Sequence, residues 1–288
     1  MKPPPFDYHA PDTVAAALAV LTEHGNEAKV LAGGQSLIPL LALRLARPAV
    51  LVDVGRLAEL QHVGANGSLA IGAVVTQRQA ERAPDVRSAT PLLAACLPLV
   101  GHEPIRTRGT IGGSLAHGDP AAELPAVARA LDPTFVARTA RGERTIEAAD
   151  FFLGFLTTAL ADDELLIEVR VPPLDGGWAC EEVARRHGDF ALAGAFALVR
   201  VDERCTVADA RLAFAGVADT PVRAESAGVA LVGQPAVEET WKAAASTAAG
   251  DLDPPSDAHA SSAYRRHVAG VLAARALAAA AARSDADR

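Results

Sequence analysis

Cysteine, aromatic residues and excess positive charge are all scarce in this 288-residue chain, and each scarcity removes a class of function. The three cysteines, Cys96, Cys180 and Cys205, are far apart, odd in number and never spaced Cys-x-x-Cys. That argues against a disulfide framework and against a zinc or iron–sulfur site within the chain. Aromatics make up only 4% of residues, so the core is expected to be aliphatic, built from Ala, Val and Leu. A net charge of −8 speaks against a nucleic-acid or anionic-membrane surface. The start, Met1-Lys2-Pro3-Pro4-Pro5-Phe6, has no apolar core of the kind a signal peptide needs. No apolar run reaches membrane-spanning length without a charge, because Arg265, Arg266, Arg275 and Arg283 interrupt the alanine-rich tail. The expected compartment is the cytoplasm, with neither nucleic acid nor membrane insertion involved.

Two familiar phosphate signatures are missing as well. Gly-x-Gly-x-x-Gly between strand and helix does not occur, and no lysine follows a glycine turn as in a P-loop. Present instead are two glycine pairs, Ala32-Gly33-Gly34-Gln35-Ser36 and Thr110-Ile111-Gly112-Gly113-Ser114. Glycine allows positive φ and leaves no Cβ in a ligand's way. Successive amides in such a turn make an anion-binding concavity, and a serine hydroxyl adds a donor. Two such turns suit a diphosphate better than a single phosphate, so a dinucleotide is the first ligand to consider.

The pattern along the chain places these turns. Pro11-Asp12-Thr13 offers an N-cap for a helix from about Val14 to His24, closed near Gly25. Lys29 to Ala32 predicts a strand entering the first turn, Ser36 to Leu45 a helix, and Val50 to Val54 a strand, a βαβ-like opening. Leu69 to Ala73 is expected to pair across the Asn66-Gly67 turn, and Val86 to Leu99 to hold a helix broken at Pro91. After the second glycine pair come a helix over Ala121 to Leu131, a hairpin around Arg141-Gly142, and a strand over Leu165 to Val171 ended by Pro172-Pro173. That double proline is the best boundary. Beyond it, Ala191 to Val201 and Ala208 to Ala215 predict strands, Val217 to Ala248 a turn plus helix, and Ala260 to Ala282 a terminal helix. Strands sit in hairpins as often as they alternate with helices, which favours α+β.

Ala32-Gly33-Gly34-Gln35-Ser36-Leu37, Thr110-Ile111-Gly112-Gly113-Ser114-Leu115-Ala116-His117-Gly118-Asp119-Pro120 and Arg185-Arg186-His187-Gly188-Asp189-Phe190-Ala191 together resemble the FAD-binding medium subunits of molybdenum hydroxylases. The carbon monoxide dehydrogenase, quinoline 2-oxidoreductase and nicotine dehydrogenase medium subunits belong to that family, and the flavin domain of xanthine dehydrogenase is similar. The resemblance spans the whole chain. It implies a two-subdomain FAD-binding domain over residues 1–173 (subdomains about 1–56 and 57–173), followed by a smaller α/β C-terminal domain over 177–288.

The resemblance also implies roles. Ala32, Gly33, Gly34, Gln35, Ser36 and Leu37 would hold the FAD diphosphate, with Lys29 and Leu31 leading into the turn. Thr110, Ile111, Gly112, Gly113 and Ser114 would approach it from the other side. Glu123 would take the adenosine ribose, Leu166 the adenine, and Asp189 and Phe190 the isoalloxazine. FAD would be non-covalent. Electrons would arrive from [2Fe-2S] clusters of a small partner subunit, fed by a molybdopterin-type molybdenum centre in a large one, and leave to an external acceptor. The assembly implied is a dimer of heterotrimers, and no side chain of this chain need act as acid or base on the organic substrate. A branched Cβ at Gly33 is expected to strip the flavin while leaving the fold largely intact.

Other readings stay beside this one. A stand-alone FAD oxidase of the same flavin fold would often attach its flavin through His or Cys, whereas Gln35 stands where such a histidine could sit. A flavin-free structural subunit is a third. Ser114, His117 and Asp119 hold the residue types of a hydrolase triad but are too close on one turn. His117-x-Asp119 lacks a third metal ligand. Arg106 and Arg108 would either neutralise phosphate or lie solvated. His102 and Glu103 read as surface or interface, and Trp178 and Trp241 as packing groups.

Overall fold

The computed structural model describes residues 2–286. It opens with β1 (Asp7–His9), helix α1 (Val14–His24), β2 (Ala28–Leu31), α2 (Leu37–Ala42) and β3 (Val50–Asp53). The three strands form a parallel sheet in the order β1-β3-β2. Thr13 caps α1 by accepting from the Ala16 amide, and Gly25 closes it at φ +51°. Val14, Ala17, Leu18 and Leu21 recur at helical spacing and bury one face against Val50 and Val52.

A five-stranded antiparallel sheet follows. β4 (Val63–Asn66) and β5 (Ser68–Gly72) meet across Gly67 at φ +78°. The expected helix over Val86–Leu99 is cut more finely. Pro84 and Pro91 each start a new helix, because proline fits the first turn but not the interior. The result is α3 (Gln77–Arg82), α4 (Pro84–Ala89) and α5 (Pro91–Cys96), then α6 (Glu103–Arg106). Next come α7 (Ile111–His117), α8 (Glu123–Leu131), the hairpin β6 (Thr134–Thr139) and β7 (Gly142–Glu147), α9 (Ala148–Phe151), a small hairpin of β8 (Phe152–Gly154) and β9 (Thr157–Thr158), and β10 (Leu165–Val171). The sheet order is β4-β5-β10-β6-β7, so β10 runs through the middle.

The C-terminal domain is a four-stranded antiparallel sheet of β11 (Gly177–Ala184), β12 (Ala191–Val201), β13 (Val207–Ala215) and β14 (Val222–Arg223), with α10 (Glu225–Leu231), α11 (Glu238–Gly250) and α12 (Ser262–Ala286). Helix α12 lies across β11 and β12. The half-polar strand β11 was not expected from the sequence, and the stretch from Val217 to Ala248 holds two helices rather than one.

One aliphatic core joins the two halves. Leu69, Ile71, Leu92, Cys96, Leu124 and Leu131 pack with Ala191, Phe196, Leu198 and Ala213 from the C-terminal sheet. Its aromatic part is a small cluster in which Phe135 and Phe151 stack at 3.8 Å. Trp241 is buried, as the packing reading expects, and Trp178 carries Arg283 4.4 Å above its ring. No helix among the described residues is long and apolar enough to cross a membrane.

Candidate functional site

The first glycine turn leaves the end of β2, where Leu31 accepts from Val54 across the sheet. Gly34 sits at φ +72°, a conformation a side chain resists. The amides of Gly33, Gly34, Gln35 and Ser36 find no acceptor among the described residues, and Ser36 makes no capping bond to α2. Gln35 folds its own amide back to donate to the Gly33 carbonyl at 2.9 Å. Lys29 is exposed beside this turn, while Leu31, Ala32 and Leu37 are half-buried. A row of uncommitted amides around a positive-φ glycine is an anion-binding shape.

The second glycine pair is not a turn, contrary to expectation. Gly112 and Gly113 occupy the first coil of α7, whose N-cap is Thr110. The amides there are already spent. Ile111 donates to Val75, Gly112 to Ala73, Gly113 to the Thr110 hydroxyl oxygen at 2.9 Å, and Ser114 to the Thr110 carbonyl. This segment therefore offers hydroxyls and a Cβ-free backbone, not a second set of free amides. Its glycines serve close packing: a Cβ on Gly112 would meet three atoms of Ala73 at 2.5–2.7 Å, and one on Gly113 the Thr110 hydroxyl at 2.6 Å.

The two segments touch. A Cβ on Gly33 would overlap the Arg108 carbonyl oxygen and reach Gly109 Cα at 2.7 Å, and one on Gly113 would lie 3.3 Å from the Ala32 methyl. The expectation that Gly33→Val spares the fold is corrected by this contact, since the branch would force the segments apart. Ala32, Gly112, Gly113 and Leu166 line one cavity of about 60 Å³, closed by Val30, Val54 and Leu165. Successive β10 residues divide the labour: Leu165 joins the core of the first sheet, and Leu166 that of the second. Uncommitted amides and Cβ-free backbone at one seam fit the diphosphate of a dinucleotide.

Glu123 and the loop over residues 185–190 lie off this cavity. Glu123 opens α8 at 3% exposure, and burial lifts its carboxyl from 4.5 to about 7. Glu182 on β11 is pushed up to about 8 by burial and then by the Glu123 charge, and its Oε2 is buried without a partner. Burial also drives the Cys96 thiol well up. Asp189 and Phe190 are exposed at the start of β12, Phe190 by 58%. They connect to the second segment through the main chain, where Ala191 donates to Ala121 and Gly216 to Pro120.

Arg106 is neither solvated nor a phosphate ligand: it is 7% exposed and donates to Glu81 and to the carbonyls of Val100 and Gly101. Ser114, His117 and Asp119 share no hydrogen bond among the described residues, and Asp119 accepts from the Ala121 amide. Glu103 pairs with Arg78.

Residues 4–174 match the family model described as the FAD binding domain in molybdopterin dehydrogenase, and residues 178–280 match the CO dehydrogenase flavoprotein C-terminal domain. The chain belongs to the FAD-binding medium subunits of the molybdenum hydroxylases. It is 40% identical over 286 residues to the carbon monoxide dehydrogenase medium chain of Hydrogenophaga pseudoflava, covering 98% of this chain and 99% of that one. It is 38% identical to the nicotine 6-hydroxylase medium subunit of Paenarthrobacter nicotinovorans, over 99% and 100% of the two chains. In three dimensions it superposes on a chain of the Hydrogenophaga pseudoflava carbon monoxide dehydrogenase with a TM-score of 0.96 (40% identity, 98% and 99% covered). On a chain of quinoline 2-oxidoreductase from Pseudomonas putida 86 the TM-score is 0.94 (37% identity, 99% of each). It is thus a medium chain of the multisubunit carbon-monoxide-dehydrogenase-like complexes, an oxidoreductase flavoprotein with the α+β FAD-binding fold.

Sequence reasoning missed the clamp behind this medium subunit's second segment. Thr76 and Thr110 bridge, and Gln77 donates from its amide to the Gly109 carbonyl at 2.8 Å. Thr76 and Gln79 form a capping box at the head of α3, a signature that could have been read from the sequence. Glu182 and His102 left no comparable signal, because their settings are made by residues far away along the chain.

Proposed function

We propose that this medium subunit holds FAD non-covalently at the seam between its first two sheets and hands electrons from a partner to an external acceptor. The observation that carries the proposal is the close approach of two glycine segments some eighty residues apart, one of them with its amides uncommitted. The amides of Gly33, Gly34, Gln35 and Ser36 hold the diphosphate. Thr110, Ile111, Gly112, Gly113 and Ser114 bound it opposite, where the missing Cβ atoms allow close approach and the hydroxyls add donors. Lys29, Leu31 and Leu37 frame the turn, Leu166 contacts adenine, Glu123 takes the ribose hydroxyls, and Asp189 and Phe190 face the isoalloxazine. A flat apolar ring such as Phe190 suits that role.

Bound FAD supplies the ability to take up electrons in pairs and release them singly or in pairs. The protein contributes binding, orientation and exclusion of water. None of its side chains is needed as acid or base on an organic substrate. The electrons come from [2Fe-2S] clusters of a small subunit, supplied in turn by a molybdopterin-type molybdenum centre in a large subunit, in a dimer of heterotrimers. This chain's lack of any cluster-type cysteine spacing agrees with that division. Acid precipitation of the purified complex is expected to give a yellow supernatant. A yellow pellet would mean a covalent flavin, and a colourless preparation that cannot be loaded with FAD would overturn the proposal. Metal analysis of co-purified partners tests the molybdenum and iron it requires.

A further inference from the structure

The loop Arg185–Phe190 meets the FAD-binding half at a corner of backbone around Gly188, and just beyond Phe190 the Ala191 amide donates to the Ala121 carbonyl. Gly188 lies at φ +84°, and a Cβ there would meet His102 Cε1 at 2.8 Å, His102 Nδ1 at 2.9 Å and the Gly101 carbonyl carbon at 3.0 Å. The His102 and His187 rings sit 5.9 Å apart. The Asp189 amide turns back onto the Arg186 carbonyl, which shortens the reach from Gly188 to Phe190. Behind the corner is Arg106, a buried guanidinium that donates to the carbonyls of Val100 at 3.1 Å and Gly101 at 3.2 Å and pairs with Glu81. Its charge is thereby paired, and the irregular backbone at Val100 and Gly101 is pinned by one side chain. His102 also anchors α6, accepting from Ile105 and Arg106 through its carbonyl.

We propose that His102, held by Arg106, is a positioning residue that seats Gly188 and so fixes where Phe190 stands against the flavin. Phe190 is 58% exposed, so little else restrains its ring. Arg185 also bonds His259 at 3.0 Å, on the C-terminal side. Of the two contacts with the FAD-binding half, the Ala121 bond holds the start of β12, and the His102 corner is the one that bears on the loop through a side chain. A chain of rigid contacts runs from Glu81 through Arg106, Gly101 and His102 to Gly188. Loss of the imidazole removes the surface on which Gly188 rests while leaving the diphosphate segments untouched. The proposal rests on the flavin reading above.

The test uses the purified complex with His102→Ala, Gly188→Ala, Phe190→Ala and wild type side by side. Three quantities are read: FAD content, flavin reoxidation rate with its visible spectrum, and deuterium uptake at residues 185–191. Expected for His102→Ala and Gly188→Ala are wild-type FAD content, a reoxidation rate changed at least threefold in the direction given by Phe190→Ala, and faster uptake across the loop. Unchanged uptake and rate in both, with Phe190→Ala altered, would overturn the seating role. An unaltered Phe190→Ala rate would overturn the placement of Phe190, and no FAD in wild type would overturn the flavin reading itself; the uptake arm still decides the seat in either case.

Discussion

Replacing Glu182 by Gln is expected to stabilise this chain, and to do so only towards neutral and alkaline pH. β11 packs on α5, and the carboxyl feels the charge of Glu123 at the head of α8. Burial first, and the Glu123 charge second, push it from 4.5 up to about 8. The neighbouring thiols bring no positive charge: burial holds Cys96 well up and Cys180 at about 11. A raised carboxyl keeps in the folded chain a proton that the unfolded chain gives up. Its contribution is therefore fully present below pH 4.5 and is lost as pH rises through 8. At about 1.4 kcal/mol per unit the ceiling is about 4–5 kcal/mol. Coupling to Glu123 and the partial exposure of the side chain reduce the expected loss to about 2–3 kcal/mol. Gln is neutral at every pH and escapes it. Thermal unfolding from pH 5 to 9 should show the variant's advantage widening by about 5–10 °C across the range. A difference in Tm that stays constant with pH would refute the reasoning, whatever its sign.

Two further outcomes follow from the geometry. Gly112→Ala places a methyl 2.5–2.7 Å from Ala73 backbone and side chain, and is expected to cost about 1–3 kcal/mol and most of the bound FAD; Gly64→Ala, with nothing within 4 Å, is the neutral control, and denaturant midpoints with flavin content check both. FAD affinity is expected to tighten as pH rises through about 7, because the ionised Glu123 carboxyl is the better acceptor for ribose hydroxyls, and to lose that dependence in Glu123→Gln; titration calorimetry at pH 6 and 8 measures it.

The elements nearest the cavity were the most legible. Alternation and terminal prolines gave β10 its full span, Leu165–Val171, and Thr13 with Gly25 bracketed α1 at both ends. Proline was legible as a break at Pro91 but not at Pro84, because a helix can be restarted by proline without any loss of apolar spacing. The second glycine pair misled for a physical reason. Glycine marks both a positive-φ turn and a crowded helix face, and only the arrival of Ala73 from another element separates the two. Strand β11 was hidden by Glu181 and Glu182, because the packing of this strand comes from α5 and α12 rather than from local pattern.

The distribution of packing bears on where the proposed site and the proposed brace lie. Between the FAD-binding half and the C-terminal sheet the core is continuous, with Phe196, Leu198 and Ala213 inserted among Leu92, Cys96 and Leu124. Burial on that scale leaves no room for a ligand and makes the two halves move together. Between the first sheet and the second the apolar cores are distinct, joined by Val74, Leu165 and Ile167, and where the glycine segments meet the contact is backbone against glycine. A dinucleotide can enter only where side chains do not already fill the interface, and the amides of Gly33 to Ser36 are uncommitted at that seam. The tight seam then does the complementary task. Because it fixes the C-terminal sheet, a loop leaving β11 can present Phe190 at a set height, steadied by the proposed His102 corner and by the Ala191–Ala121 bond at the start of β12.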